Sequence, residues 1–423
     1  MKPTLAKGTR DLMPEEAIIL QETVDVLKRN FELFGFNPIR TPTLEKFDTL
    51  ASKYTGGAEI LKETFNLVDQ GKRKLGLRYD LTVPFSRFVA MNPQLKMPFK
   101  RYQIGQVFRD GPIKASRYRE FTQCDCDIVG VKSIVADAEC VELFLQCYED
   151  LGLDVIVYVN NRKILDELMD TFGIKDKLRG RVILAIDKIE KKPRKEIEKE
   201  IIGLGVTKKA VNLLLDTFGS KGKKSLKEIK KILGKDSQGI KEMNELLTLV
   251  SSKKVIFLPS LARGLSYYTG TIYEVFLKDG SIPSSIGSGG RFDKMIGALM
   301  GSKLEFPAVG CSFGLDVIVN ALKIKRVKVK KSVVTVLVIP IGVSLDKVWG
   351  FVKEFRDQGI ATDLAVSKKG VTKNIKYADS YGIPYVFFVG ENELKKGKYK
   401  LKDLDSGKEK TLTLKQAVKF LSS

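Results

Sequence analysis

The sequence predicts an α+β domain built on an antiparallel sheet with flanking helices, interrupted by a helical insertion and followed by a C-terminal α/β domain. Three observations predict it. Phe99–Gly130 holds two period-2 runs joined by a polar loop with glycine and proline, the pattern of an antiparallel hairpin. Residues 161–254 are Lys/Glu-rich with the Leu/Ile periodicity of helices, broken at Gly173, Gly203, Gly205, Gly219 and Gly234. Beyond residue 332, fully apolar strands alternate with helices, as in a parallel or mixed sheet covered on both faces.

A chain of 423 residues is too long for one ordinary core, so two or three domains are expected. Hydrophobic residues make up 43% and charged residues 29%, and no apolar run approaches the roughly 20 residues of a membrane helix. The N-terminus MKPTLAKGTRDLMPEEA has no apolar h-region. The five cysteines form no paired framework, so they are expected to be reduced thiols of a cytoplasmic protein. Histidine is absent, which excludes Ser-His-Asp and Cys-His catalysis, histidine-ligated zinc and an imidazole base. Cys124 and Cys126 are not at a metal-ligand spacing; as alternate strand residues they are expected on a buried face.

The net charge of +22 is uneven. Residues 161–254 carry 24 Lys/Arg against 14 Asp/Glu, residues 321–331 six bases and no acid, and residues 332–423 carry 16 against 10, while the rest balances. Basic outer parts around a neutral middle suit a polyanion gripped by appendages, although alternating Lys and Glu is also how a solvated helix surface reads.

In chain order, residues 14–35 have helical periodicity, opened by Pro14 with Glu15 and Glu16 and ended by Gly35. In FNPIRTPTLEKFDTL, Pro38 and Pro42 forbid a helix and suit an edge strand, either a simple domain edge or one that pairs with a second copy across a two-fold axis. Leu75–Pro84 reads as a short strand that puts Arg78, Asp80 and Thr82 on one face and stops at Pro84. Ser133–Asp150 reads as an amphipathic helix with a solvated acidic flank of Asp137, Glu139 and Glu142, and Val155–Asn160 as a buried strand. Strands resume over Val255–Leu277 and Gly287–Gly290, before a helix from about Phe313 to Leu322. KIKRVKVKK (323–331) reads as a basic linker, followed by strands at 333–340, 360–366 and 384–389 and helices at 344–358 and 371–381.

Polar groups gather in three places. On the hairpin, Arg101, Gln103, Gly105, Val107 and Arg109 share one face, and Phe121, Gln123, Asp125, Asp127 and Val129 share one on the return strand. That surface either carries a polar ligand or is simply wet. LARGLSYYTGTIYEVF (261–276) sets Arg263, Tyr267 and Tyr268 in a turn-rich approach to a strand. IGSGGRFDKMIG (286–297) places glycines before Arg291, as a close-approach turn or a β-bulge, and matches no P-loop or dinucleotide fingerprint. Arginines and carboxylates without an imidazole suit chemistry done by positioning and charge stabilisation, phosphoryl or nucleotidyl transfer above all.

The hairpin resembles motif 2 of class II aminoacyl-tRNA synthetases. YREFTQCDCDIVG together with LARGLSYYTGTIYEVF resembles the histidyl-tRNA synthetase family, in its archaeal and eukaryotic form. RTPTLEKFD resembles motif 1 and PAVGCSFGLDVI motif 3. The resemblance implies a catalytic domain in two parts, 1–160 and 255–322, around an insertion domain at 161–254, with an anticodon-binding domain at 332–423. It implies activation of L-histidine by ATP to histidyl-adenylate and transfer to tRNA(His), with Mg2+ held by ATP rather than by protein ligands, and a homodimer through the Pro42 region. Arg109 and Arg263 are then the catalytic residues. Asp80, Leu81, Thr82, Arg109, Gln123, Asp127, Arg263, Tyr267 and Tyr268 bind histidine, with Asp127 and Tyr268 on its imidazole. Arg109, Arg117, Arg119, Phe121 and Arg291 bind ATP, and the loop 110–116 meets the tRNA 3′ end. Two departures stand out. Val317 occupies the place of the motif 3 arginine, so that Arg291 substitutes, the nucleotide sits differently, or activity is lost; and Gly111 stands where motif 2 has Glu, with Asp110 as the candidate replacement. The alternative is a silent relative such as the regulatory subunit of ATP phosphoribosyltransferase, which needs neither the C-terminal domain nor the Arg263–Tyr268 stretch.

Overall fold

The computed structural model describes residues 2–52, 62–113, 118–186, 188–189, 192–219, 221–262, 267–325, 330–367 and 370–422. By internal contacts these form two units, one of residues 1–10 and 23–322, the other of residues 11–22 and 323–423.

The first unit holds strands β1 (Asn37–Pro38), β2 (Leu44–Lys46), β3 (Asn66–Val68), β4 (Lys74–Leu77), β5 (Phe99–Phe108), β6 (Glu120–Val129), β7 (Val155–Asn161), β8 (Val255–Phe257), β9 (Thr271–Leu277), β10 (Gly287–Arg291) and β11 (Ala308–Gly314). Eight of them make one sheet in the order β1-β5-β6-β11-β10-β9-β7-β8. It is antiparallel throughout its middle, with parallel pairs only at β1–β5 and β7–β8. The proline-bearing β1 lies at the edge, where a residue without an N–H disturbs no ladder. Strands β2, β4 and β3 form a separate small sheet.

Alternation of side chains gives the large sheet a dry face and a polar one. On the dry face, Cys126 of β6 stands opposite Cys311 of β11, and Cys124 opposite Phe313. Phe144 and Tyr148 of the helix Val135–Asp150 cover this face, packing with tilted rings on Phe313 at centroid distances of 4.7 and 5.6 Å, and Phe31 meets Tyr102 at 5.4 Å. All five thiols are buried and free. A hydrogen bond with Cys311 followed by burial pushes Cys140 up, and burial pushes up the other four, Cys126 to about 12, so they are packing groups and not nucleophiles.

Between β7 and β8 the described residues form six helices, from Arg162–Thr171 to Gln238–Val250, the last of which packs on the helix Val135–Asp150 and on β7. They belong by contact to the same unit as the sheet.

Three local expectations are corrected. Leu75–Pro84 is not one strand: β4 ends at Leu77 and a helix runs over Thr82–Met91. Pro84 lies in its first turn, where a missing N–H costs nothing, instead of stopping a strand. The glycines before Arg291 form neither turn nor bulge, because β10 pairs regularly with β9 and β11 on both sides. The acidic flank of the helix Val135–Asp150 is not solvated as a whole: Asp137 has no exposed surface and forms an ion pair with Arg291.

The second unit carries β12 (Val336–Ile341), β13 (Thr362–Leu364), β14 (Tyr385–Gly390), β15 (Tyr399–Asp403) and β16 (Glu409–Leu412), in the order β13-β12-β14-β15-β16. The first three are parallel; a terminal hairpin absent from the sequence reading adds two antiparallel strands. Val336, Val338 and Phe387 face the helix Leu345–Asp357, while Leu337, Ile339 and Phe388 face Val371–Ser380. Burial on both faces is why these strands read as unbroken apolar runs. The helix Leu315–Lys325 extends into the expected linker, whose residues 326–329 lie outside the described residues.

The pair Asp137–Arg291 ties the helix Val135–Asp150 to β10. Asp137→Ala leaves the guanidinium buried without its main partner, and the unfolding free energy is expected to fall by about 3–5 kcal/mol in denaturant titration. A loss under about 1 kcal/mol would mean that the pair stabilises no more than a surface contact.

Candidate active site

A hollow forms on the polar face because neighbouring strands carry side chains of very different size. Antiparallel register sets Arg101 opposite Asp127, Gln103 opposite Asp125 and Gly105 opposite Gln123, so these residues share one surface. The surface continues through Gly310 and Ser312 of β11 and through Gly290 and Ser288 of β10. Large polar groups beside four small residues leave a cleft of about 270 Å3, walled by Tyr79, Asp80, Thr82, Arg109, Tyr267 and Tyr268. Two glycines are required for space. A Cβ on Gly310 would stand 1.9 Å from Asp127 Oδ1; on Gly290, where φ is +155°, it would stand 2.8 Å from the Tyr268 ring.

The floor is not a wet surface, since Arg101, Gln103, Asp125 and Asp127 are all buried. Burying charge is tolerated only when it is paired. Arg101 Nη2 and Asp127 Oδ2 form an ion pair, and the guanidinium lies 4.1 Å above the Phe85 ring. Gln123 donates from Nε2 to Ser312 Oγ at 2.7 Å, while its buried Oε1 has no partner among the described residues. An unused acceptor grouped with Asp80, Asp125 and Asp127 suits a cationic donor such as an ammonium group.

Arg109 stands at the other end of the cleft. Its guanidinium is held between the Tyr79 ring at 4.2 Å and the Phe121 ring at 4.8 Å, and Nε donates to the Tyr79 carbonyl at 3.4 Å. Two aromatic faces fix its plane and direct its edge, the geometry that takes a carboxylate or phosphate with two parallel hydrogen bonds. Asp80 is fixed by the backbone N–H of Val83, which donates to its Oδ1 at 3.0 Å. Tyr267 and Tyr268 pack against one another with their hydroxyls 3.4 Å apart.

Thus Asp80, Thr82, Arg109, Gln123, Asp127, Tyr267 and Tyr268 come together in one cleft. Leu81 is buried beside it and offers its carbonyl to Arg101 Nη2 at 3.4 Å. Phe121 serves as the support of Arg109, and Arg119 is ion-paired with Asp110 at 3.0 Å. Arg263 and Arg117 lie outside the described residues, as does most of the loop 110–116.

Two expected substitutes are not in place. Arg291 has its guanidinium hydrogens engaged by Asp137, Asp293 and the carbonyls of Val131 and Ser133. With every donor used inside the protein, it has none for a phosphate. Asp110 faces Arg119 instead of Arg109; the space that a side chain at Gly111 would fill is taken by the Glu63 carboxylate, whose Cδ lies 2.9 Å from such a Cβ. Near Val317, Asp316 accepts from Arg10 at 2.8 Å and from the Thr122 N–H at 3.1 Å, with Arg10 lying over the Tyr118 ring at 4.3 Å. Sequence reading missed Tyr79, Glu63 and Arg10 because each acts across a long stretch of chain with no local pattern.

Among the described residues no group of three or more Cys, Asp and Glu side chains is arranged to hold a metal, and no helix is long and apolar enough to cross a membrane.

A family model described as histidyl-tRNA synthetase matches residues 8–318, and one described as anticodon binding domain matches residues 335–423. The chain is 40% identical over 421 residues to a Bacillus cereus protein named histidine–tRNA ligase 1, covering 98% of each. It is 33% identical over 440 residues to a histidine–tRNA ligase of Clostridium tetani, covering 100% of this chain and 99% of that one. Among solved structures, a histidyl-tRNA synthetase from a Nostoc species aligns with a TM-score of 0.88 at 26% identity, over 100% of this chain and 99% of that one. A Bacillus halodurans structure described as an ATP phosphoribosyltransferase regulatory subunit/histidyl-tRNA synthetase aligns with a TM-score of 0.77 at 21% identity, over 92% and 99%, and shows the fold alone. These relatives are bacterial and lend no support to an archaeal or eukaryotic affinity.

The contact between Gly310 and Asp127 makes residue 310 the tightest point of the cleft floor. Gly310→Ala is expected to lower the unfolding free energy by about 1–3 kcal/mol, with a larger loss for Gly310→Val. Unchanged stability in both variants would mean that Asp127 moves aside freely.

Proposed function

The chain belongs to the histidyl-tRNA synthetase family, and from that premise we propose that the cleft over β5, β6, β10 and β11 is where its amino acid is activated. The reaction is that of a histidine–tRNA ligase, a class II synthetase: histidine and ATP give histidyl-adenylate, and the histidyl group passes to tRNA. In the first step a carboxylate oxygen of histidine forms a bond to the α-phosphorus as the bond to the β-phosphate oxygen breaks, and pyrophosphate leaves. The nucleophile is already an anion, so no protein base is needed, and a chain without histidine loses nothing. What the step requires is positive charge at the α-phosphate.

Arg109, clamped between two rings, fits that role, and the four N–H groups of its terminal nitrogens can serve carboxylate and phosphate together. The α-ammonium group of histidine goes to Asp80 and to the unpartnered Oε1 of Gln123, with Thr82 beside them. Asp127 accepts from one imidazole nitrogen and the Tyr268 hydroxyl donates to the other. A cleft built to pair both nitrogens rejects side chains that leave those groups unmet. Arg263 stays a proposed second cation at the α-phosphate and Arg117 a proposed ATP contact. At the motif 3 position the nearby Arg10 is the proposed replacement for the arginine that Val317 lacks, held by Asp316. Mg2+ is proposed to enter with ATP.

The exposed Lys224, Lys227, Lys230 and Lys231 of the helix Gly222–Leu233 suit tRNA phosphates. A homodimer through the Pro42 region is supported by Leu44, Leu67 and Val68 of the small sheet, the last 69% exposed. The chemistry is that of a cytoplasmic enzyme. The single observation that carries the site assignment is the grouping of Arg109, Asp80, Gln123 and Asp127 in one cleft.

Histidine-dependent ATP–pyrophosphate exchange tests it, run across several amino acids. Arg109→Ala is expected to lose about 10²–10³-fold in kcat, and Arg263→Ala to lose exchange. Asp127→Ala is expected to raise the KM for histidine tenfold or more, about 1.4 kcal/mol per factor of ten, with a much smaller change for ATP. Equal effects on both substrates would remove Asp127 from the amino-acid pocket. For the dimer, Val68→Asp is expected to shift the sedimentation coefficient to that of a monomer; an unaltered value in a protein that is dimeric as wild type would exclude the small sheet from the interface.

A further inference from the structure

The least expected group at the floor of the cleft is Arg101. It has no exposed surface, and its Nε and Nη1 have no hydrogen-bond partner among the described residues. Its hydrogen-bonding capacity is thus concentrated on one side: Nη2 meets Asp127 Oδ2 and, at 3.4 Å, the Leu81 carbonyl, while Phe85 covers the guanidinium face. A buried arginine with three of its five N–H groups unsatisfied is costly, and a purely structural pair would be replaced by apolar groups at little loss. Asp127 is 3% exposed, and that remnant opens on the cleft, with Oδ1 lying over Gly310.

We propose that Arg101 is a positioning residue for substrate recognition: by neutralising Asp127 from beneath, it makes the cleft select the neutral imidazole of histidine over the imidazolium. The inference rests on the assignment of the cleft to histidine. A bare carboxylate in a dry pocket attracts a cation, and free histidine offers one below its ring pKa of about 6.5. With Arg101 in place the pair carries no net charge, so a protonated ring gains no ion pair. The second contact has the same preference. A neutral ring has one N–H for Asp127 and one bare nitrogen for the Tyr268 hydroxyl, whereas a protonated ring has two donors and leaves that hydroxyl facing an N–H.

The groups around Asp127 allow this reading. Besides Arg101 from β5, its electrostatic neighbours are the thiols of Cys126 on its own strand and Cys311 of β11, which burial pushes up and keeps protonated. Tyr268 comes from the segment before β9, and Asp80, Asp125 and Arg109 line the same cleft. Because the chain has no histidine, the substrate brings the only imidazole into the site.

The test is the pH dependence of the KM for histidine in pyrophosphate exchange at saturating ATP. Between pH 5.5 and 7.5 the neutral fraction of an imidazole with pKa about 6.5 rises roughly tenfold, so the wild-type KM is expected to fall by about that factor. A triazole analogue of histidine, whose ring does not protonate in this range, is expected to show a flat KM. In Arg101→Met the Asp127 charge is exposed to the substrate and the histidine profile is expected to flatten or reverse, with kcat changing less than KM; Arg101→Lys, which keeps the charge, is expected to restore the slope. A flat wild-type profile overturns the proposal, as does an analogue that follows pH as histidine does, or an Arg101→Met enzyme with a raised KM and an unaltered slope. If Arg101→Met fails to fold, the comparison of histidine with its analogue and the slope of Arg101→Lys decide. Asp127→Ala with an unchanged KM for histidine would instead remove the underlying site assignment, and the inference with it.

Discussion

The ion pair between Arg101 and Asp127 lies under everything that the cleft does. Taking two charges out of water costs several kcal/mol per ion before their attraction is counted, and the sheet meets that cost by setting them directly opposite one another on β5 and β6. A one-residue slip between these strands would turn Asp127 toward Phe144 and Tyr148, on the dry face, and bring Cys126 into the cleft. Register, pocket polarity and core packing are therefore one constraint and not three. The same register puts Gly310 next to Asp127, and the absence of a side chain there gives the carboxylate its place.

The proposed site needs no titrating base. Arg109 is held between Tyr79 and Phe121, and Asp80 is bonded to the first turn of the helix Thr82–Met91. Both groups are thereby held in fixed orientations, as their proposed roles in binding and charge stabilisation require. The pair Asp137–Arg291 does similar work one layer away. It commits a buried arginine to anchoring the helix Val135–Asp150 to β10, whose glycines and serine open the cleft. An arginine near a nucleotide site is thus not necessarily a ligand, and its donors have to be counted first.

Much of the arrangement is legible along the chain. Period-2 alternation places Arg101, Gln103, Asp125 and Asp127 on one face because a strand repeats every two residues, and the apolar runs after residue 332 read as strands buried on both sides because they are. Where reading failed, the deciding partner was distant. Pro84 looks like the end of a strand until the chain turns at Asp80 into a helix. Asp137 looks solvated until Arg291, 154 residues later, is set against it.

The sequence by itself determined the family, the hairpin and the residue types proposed to meet an amino acid and a nucleotide, since periodicity and signature stretches are local properties. Only the tertiary structure decided how the charges pair. Arg101 goes to Asp127, Arg291 to Asp137, Arg10 to Asp316, and the Glu63 carboxylate fills the space beside Gly111. Electrostatic energy in a dry interior depends on separations of a few ångströms between residues far apart in the chain, and no one-dimensional pattern records those distances.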